Sequence, residues 1–203
     1  MIAIIDYGVG NLFSLQSSLA MIGAQAAVTG DAGVLRRADR LILPGVGAFG
    51  DARQKLAQTG LDAALLREAE RGKPVLGICL GMQMLFDRSY EYGTHEGLGL
   101  VPGEVVPMAG RLPLGLKVPH IGWNALDVKK PDHPLMKYTQ NGDCVYFVHS
   151  FCAVDCAESV IATAEYGFDV TAAVAKGNVM GCQFHPEKSG TVGLGILKAF
   201  CEL

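Results

Sequence analysis

The segment Lys73-Pro-Val-Leu-Gly-Ile-Cys-Leu-Gly-Met-Gln-Met-Leu-Phe86 decides how the chain folds. Val75 to Ile78 is a short apolar run suited to a buried parallel strand, and a helix opens at Leu80, so the chain must turn at Cys79. Gly77 and Gly81 remove side chains that so sharp a turn would crowd, which is the form of a nucleophile elbow with the thiol exposed above the sheet. The amides that open the helix, from Leu80 onwards, point at the sulfur and favour a thiolate. The plain alternative is a buried cysteine where a helix packs tightly on a strand.

Reading outward, the first half alternates strand and helix. Met1 to Asp6 reads as a strand, and Asn11 to Ile22 as a helix with apolar residues at Leu12, Leu15, Leu19 and Ile22. Strands at Ala26–Val28 and Arg40–Leu43 follow, then helix over Asp51 to Arg71, broken near Gly60. This order implies a parallel, doubly wound sheet flanked by helices. The second half is strand-rich, with segments near Glu104–Pro107, Val118–Trp123, Val145–Phe151, Val160–Tyr166, Val170–Lys176 and Val179–Phe184. Hairpin signals at Gly167-Phe-Asp169 and Lys176-Gly-Asn178 add antiparallel strands on one edge of a mixed, mainly parallel α/β sheet, and a helix over Val192 to Cys201 closes it.

The 203 residues, half of them hydrophobic, suit one domain over residues 1–203 with a buried sheet. A formal net charge of −3 argues against nucleic acid or an anionic membrane surface as partner. No apolar run reaches membrane-spanning length, and Met1-Ile-Ala-Ile-Ile-Asp6 begins as a strand without a basic leader, so a cytoplasmic location is expected. The six cysteines lie mostly in apolar runs as free thiols. Cys152 and Cys156 have no partner pair to complete a zinc set, so neither metal nor cofactor is expected.

Three further features carry chemistry. His185-Pro-Glu187 supplies a base and a carboxylate to orient it; in an extended backbone the two side chains share a side, and Pro186 favours that conformation for His185. Arg40-Leu-Ile-Leu-Pro-Gly-Val-Gly-Ala-Phe-Gly50 formally matches a dinucleotide fingerprint at Gly45, Gly47 and Gly50. The acidic residue expected roughly 20 positions on should end a strand, but Glu68 and Glu70 fall in a helix. The preferred reading is a loop offering the backbone N–H groups of Gly45, Val46 and Gly47 to an oxyanion, with a simple tight turn as the alternative. Finally, Gln83 (one turn beyond Cys79), Glu96, His149 and Ser150 are polar groups among apolar neighbours, fit to line a pocket for a small zwitterion.

These residues resemble a known family. Pro74-Val-Leu-Gly-Ile-Cys-Leu-Gly-Met-Gln83, Leu43-Pro-Gly-Val-Gly47 and Gln183-Phe-His-Pro-Glu187 are similar to the motifs of class I, triad-type glutamine amidotransferases. Ile5-Asp-Tyr-Gly-Val-Gly-Asn11, Glu96-Gly-Leu-Gly99, Val118-Pro-His-Ile-Gly-Trp-Asn124, Tyr146-Phe-Val-His-Ser150 and His185-Pro-Glu-Lys-Ser189 resemble, more narrowly, the glutaminase subunits of imidazole glycerol phosphate synthases. The resemblance spans essentially the whole chain and implies a flavodoxin-like class I amidotransferase fold. It implies glutamine as substrate, cleaved to glutamate and ammonia through a thioester on Cys79, with His185 as base and acid and Glu187 orienting it. Leu80 and the Gly45–Gly47 loop would hold the oxyanion. Gln83, Glu96, His149, Ser150 and Phe151 would form the substrate pocket, Phe151 standing where the family usually has tyrosine.

The implied partner is a (β/α)8-barrel cyclase subunit that uses the ammonia to make imidazole glycerol phosphate and AICAR in histidine biosynthesis, docked at Asn11, Trp123 and Lys188. A loop peptide between Pro44 and Gly50 is expected to turn into the oxyanion hole only once that partner and its ligand are bound. The alternatives are an amidotransferase of another pathway, a free-standing cysteine hydrolase, or a dinucleotide-binding protein with an inert Cys79.

Overall fold

Strands that are apolar on successive residues need cover on both faces, and the arrangement of this chain supplies it. The computed structural model describes residues 1–203. Its first half runs β1 (Ile2–Ile5), α1 (Leu12–Met21), β2 (Ala26–Thr29), α2 (Ala32–Arg37), β3 (Arg40–Leu43), α3 (Phe49–Gln58), α4 (Leu61–Glu70), β4 (Val75–Ile78) and α5 (Leu80–Met84). The second half adds β5 (Arg88–Ser89), β6 (His95–Glu96), β7 (Glu104–Pro107), β8 (His120–Val128), β9 (Cys144–His149), β10 (Phe151–Val154), β11 (Val160–Glu165), β12 (Asp169–Lys176), β13 (Val179–Cys182) and α6 (Gly190–Cys201).

The main sheet has the order β2-β1-β3-β4-β13-β12-β11-β8-β9. Pairing is parallel from β2 to β13 and antiparallel from there to β9. This is the mixed α/β sheet expected, with the hairpin residues where their turn chemistry indicated. β13 is the seam: it pairs parallel with β4 and antiparallel with β12. Strand alternation then divides the core. Ala3, Ile5, Leu41, Leu43 and Val75 pack with α2, α3 and α4 in one cluster of 27 buried residues. Ile2, Ile4, Ile42, Leu76 and Ile78 pack with α1 and α6 in a second cluster of 25. At roughly 1.5–3 kcal/mol for each large apolar side chain fully buried, these clusters supply the main driving force for folding.

The structure departs from the sequence expectations in three places. Helix α2 went unpredicted because six residues are too few to display a period; it is started by Asp31, whose carboxylate accepts the Gly33 N–H at 2.6 Å. The strand expected over Val145–Phe151 is two strands. β9 ends at His149 in the main sheet, and β10 begins at Phe151 in a second, four-stranded sheet ordered β10-β7-β5-β6. That sheet contains the two-residue strands β5 and β6, which leave no alternation to detect. Finally, β8 starts at His120 and continues to Val128, further than Trp123. No helix is long and apolar enough to cross a membrane.

The carboxyl ends of β1, β3, β4 and β13 face a common crevice, because β2 and β3 flank β1 and the sheet order reverses there. The segments leaving β3 and β4 touch backbone to backbone: a Cβ at Gly81 would overlap the Leu43 carbonyl oxygen. Gly81→Ala should therefore destabilise the protein by about 3 kcal/mol or more, since backbone and not a flexible side chain must move. Urea unfolding would check this; a loss below about 1 kcal/mol would show that the contact yields easily.

Candidate active site

Cys79 sits at φ 54°, ψ −111°, a conformation that costs a non-glycine residue about 1–3 kcal/mol. Two bonds hold it there. Its N–H continues the β4–β13 ladder to the Cys182 carbonyl at 2.8 Å, and its own carbonyl accepts the Gln83 N–H at 3.1 Å as the first bond of the helix. The thiol thus stands at the end of the sheet, over a cavity of about 410 Å³. That volume lies within the usual range of small-molecule sites, roughly 300–1,000 Å³.

His185 arrives from the next strand. Beyond β13 its N–H reaches across to the Tyr146 carbonyl on β9 at 3.0 Å. Ser189 ties the following turn, donating to the His185 carbonyl (2.7 Å) while accepting the Tyr146 N–H (3.0 Å). Residues Pro186–Lys188 form one turn of 3-10 helix, so Glu187 meets His185 through a tight turn and not across an extended strand as expected. His185 itself is extended (φ −99°, ψ 99°), as a residue before proline should be.

A carboxylate can only accept, so His185 Nδ1–H donates to Glu187 Oε1 at 2.8 Å and Nε2 is left for the sulfur. Both side chains are 3% exposed. Burial opposes charge on the imidazole, but hydrogen bonding to Cys79 and Glu187 and their negative charge outweigh it and raise His185 to about 9. Asn11 Nδ2 donates to the same Glu187 oxygen at 3.3 Å, while Oε2 is buried without a hydrogen-bond partner. A buried carboxylate held on one side only depends on the imidazolium beside it.

Behind the thiol lies a chain of amides. Gln183 Nε2 faces Cys79 Sγ at 3.7 Å. Its Oε1 accepts from Gln83 Nε2 at 3.0 Å, and Gln83 also donates to the Phe151 carbonyl at 3.2 Å. Gln183 is fully buried. It was absent from the sequence candidates, although a polar residue ending the apolar strand Val179–Cys182 was a visible signal.

The same Phe151 carbonyl accepts from His149 Nδ1 at 2.8 Å, and His149 Nε2 lies 2.9 Å from His120 Nδ1. Both ring nitrogens of His149 are thereby used inside the protein. Burial pushes His149 down to about 4 and lowers His120 too. His120 is sandwiched between Phe147 and Tyr166, with ring centroids 4.7 Å and 4.0 Å away.

Cys79, Leu80, Gln83, His149, Ser150, Phe151, His185, Val46 and Gly47 all border the cavity. Glu96 does not. It is exposed on β6, registered opposite Arg88. The carboxylate that does border the cavity is Glu91, which no sequence pattern announced because it lies in the irregular segment after β5. Its Oε2 accepts the Phe49 N–H at 2.6 Å at the start of α3, and burial raises its pKa despite that bond. Phe151 acts through its backbone carbonyl, so a hydroxyl on its ring has no bearing on those bonds. Around the mouth, Lys188 Nζ lies 5.8 Å from the centre of the Tyr146 ring, which also meets Trp123 edge-on at 6.1 Å. Trp123 and its neighbour Ile121 are more than half exposed.

Comparison with known proteins adds a second line. The family described as glutamine amidotransferase class-I matches residues 3–202. The imidazole glycerol phosphate synthase subunit HisH of Methanosarcina acetivorans is 51% identical over 205 residues, covering 100% of this chain and 98% of its own. That of Wolinella succinogenes is 49% identical over 205 residues, covering 100% of both chains. Among solved structures, a glutamine amidotransferase of 20% identity has a TM-score of 0.77 and covers 100% of this chain and 98% of that one. PurLQS from Thermotoga maritima, 22% identical, has a TM-score of 0.76 with 99% and 97% covered. At those identities the structural likenesses are ones of fold.

The site predicts a titration. An imidazole in an unfolded chain titrates near 6.5, whereas His185 in the folded protein is raised to about 9. Its contribution to stability is therefore complete below about 6.5 and is lost as pH rises through about 9. NMR of the His185 ring should give a midpoint near 9, and Cys79→Ala should lower it. A midpoint at or below 6.5 in the parent protein would contradict this electrostatic picture.

Proposed function

The chain belongs to the class-I glutamine amidotransferase family, and from that premise we propose that it is the glutaminase subunit of an imidazole glycerol phosphate synthase, serving histidine biosynthesis. The carrying observation is the convergence of a strained Cys79, bordering the cavity, with a buried, charge-paired His185–Glu187. The relatives named as HisH subunits, about half identical over their whole length, supply the pathway.

Glutamine occupies the cavity with its side-chain amide over Cys79. The sulfur attacks the amide carbon, and the carbonyl oxygen becomes an oxyanion held by the Leu80 N–H and one N–H of Gly45, Val46 or Gly47. His185 gives its proton to the departing ammonia, then takes one from the water that opens the thioester and releases glutamate. Glu187 keeps Nε2 of His185 aimed at the sulfur and stabilises the imidazolium. Glu91 takes the substrate's α-ammonium, in place of the Glu96 expected from the sequence. Gln83, the His149–Ser150–Phe151 backbone and Ser150 shape the remaining wall.

Ammonia passes to a (β/α)8-barrel cyclase subunit in a heterodimer. The exposed Ile121, Trp123 and Lys188 beside the cavity mouth suit a partner surface there. Asn11 would link that surface to the site through its bond to Glu187. The chain works as one amidotransferase domain over residues 1–203 in the cytoplasm, without cofactor.

A glutamine-mimicking electrophile should label Cys79, and excess glutamine should prevent it; labelling indifferent to glutamine would favour an unrelated thiol hydrolase. Cys79→Ala should cost at least about a thousandfold in glutaminase rate. The rate of the chain alone should lie well below that of its complex with the cyclase and cyclase ligand. Equal rates would remove the expectation that the oxyanion loop awaits its partner.

A further inference from the structure

Tyr7 has no part in the chemistry described so far, yet it is buried at 4% exposure, two residues beyond β1, beside the Pro44–Gly47 loop. Its hydroxyl donates to the Pro44 carbonyl at 2.8 Å. No backbone N–H donates to that carbonyl, so Tyr7 is what satisfies it.

The next residue is held just as closely. A Cβ on Gly45 would lie 3.0 Å from the Tyr7 hydroxyl, 2.7 Å from the Gly81 nitrogen and 3.0 Å from Leu80 Cβ. Gly45 Cα is therefore wedged between the tyrosine and the first turn of the elbow helix. A trans peptide is a rigid plane, so fixing the Pro44 carbonyl also fixes the direction of the Gly45 N–H. Beyond the wedge the chain opens. Gly47 sits at φ +90° with no neighbour near its would-be Cβ, and Val46 is exposed. The loop is thus anchored at the Pro44–Gly45 peptide and free to turn from the Gly45–Val46 peptide onward. Burial, with Cys79 nearby, raises the pKa of Tyr7, so its phenol remains a donor over the whole working pH range.

We propose that Tyr7 is a positioning residue for glutamine hydrolysis: by holding the Pro44 carbonyl it fixes the plane from which the amides of Gly45 to Gly47 reach the oxyanion over Cys79. This rests on reading those amides as the oxyanion hole of a glutaminase. A contact made only to the transition state lowers kcat when it is loosened and leaves KM in place. Displacement at a saturated carbon forms no oxyanion and does not respond.

The test is Tyr7→Phe in the full chain, assayed in complex with the cyclase subunit and its ligand. This change removes the hydroxyl and keeps the ring. Since losing a whole oxyanion donor costs roughly a hundredfold to a thousandfold, kcat for glutamine should fall about tenfold with KM within about twofold of the parent. Alkylation of Cys79 by iodoacetamide should stay within about twofold as well, showing that the elbow and thiol are intact. An unchanged kcat overturns the proposal. So does equal slowing of hydrolysis and alkylation, which would make Tyr7 a support of the elbow alone. A parent complex without glutaminase activity is a different result: it overturns the functional reading, and the role of Tyr7 with it.

Discussion

Everything at this site depends on one close approach, the seating of the first turn of α5 against the end of β3. The Leu43 carbonyl lies where any side chain on residue 81 would have to be, and Gly45 is wedged against Gly81 and Leu80 in turn. Contacts between backbones have no rotamers to give way, so the elbow and the loop after β3 are placed relative to each other by the fold itself. That rigidity lets Cys79 hold a conformation that an unsupported chain would abandon. It also fixes the place of Gly45 relative to the elbow.

Around this contact the protein carries an unusual load of polarity for so apolar a core. His185, Glu187, Gln83, Gln183, His149 and His120 are buried or nearly so, and each bonds to another member or to the Phe151 carbonyl, although Glu187 Oε2 has no partner. The two histidine environments diverge. His149, buried and close to two other imidazoles, is driven toward the uncharged form, whereas His185, between a sulfur and a carboxylate, is driven toward the charged one. Proximity of such different imidazoles keeps the one mobile proton on the residue that needs it.

Much of this was legible in the sequence, for reasons that differ by residue. The parallel half could be read because β1, β3 and β4 are continuous apolar runs and Gly60 broke the helix between them. The elbow announced itself through its glycines, and Cys79 and His185 border one cavity, with Glu187 bonded behind His185. What escaped was set by tertiary contacts. The meeting of His185 and Glu187 depends on a 3-10 turn that Pro186 begins, not on strand alternation. Glu96 was favoured as a polar group among apolar neighbours, while Glu91 reaches the cavity only because the segment after β5 folds against the start of α3. Tyr7 gave no signal of its own, since nothing local reveals that its hydroxyl spans two loops.

The position of β13 at the seam of the sheet bears on when the molecule becomes reactive. Cys79 and His185 are separated by more than a hundred residues, and they meet only when β13 slots between β4 and β12. During synthesis the parallel half, with its cysteine at the bend, leaves the ribosome well before the final strand. Until that strand docks, the thiol has no imidazole beside it. The order in which the chain is made thus leaves the pairing of thiol and imidazole to the closing of the whole sheet.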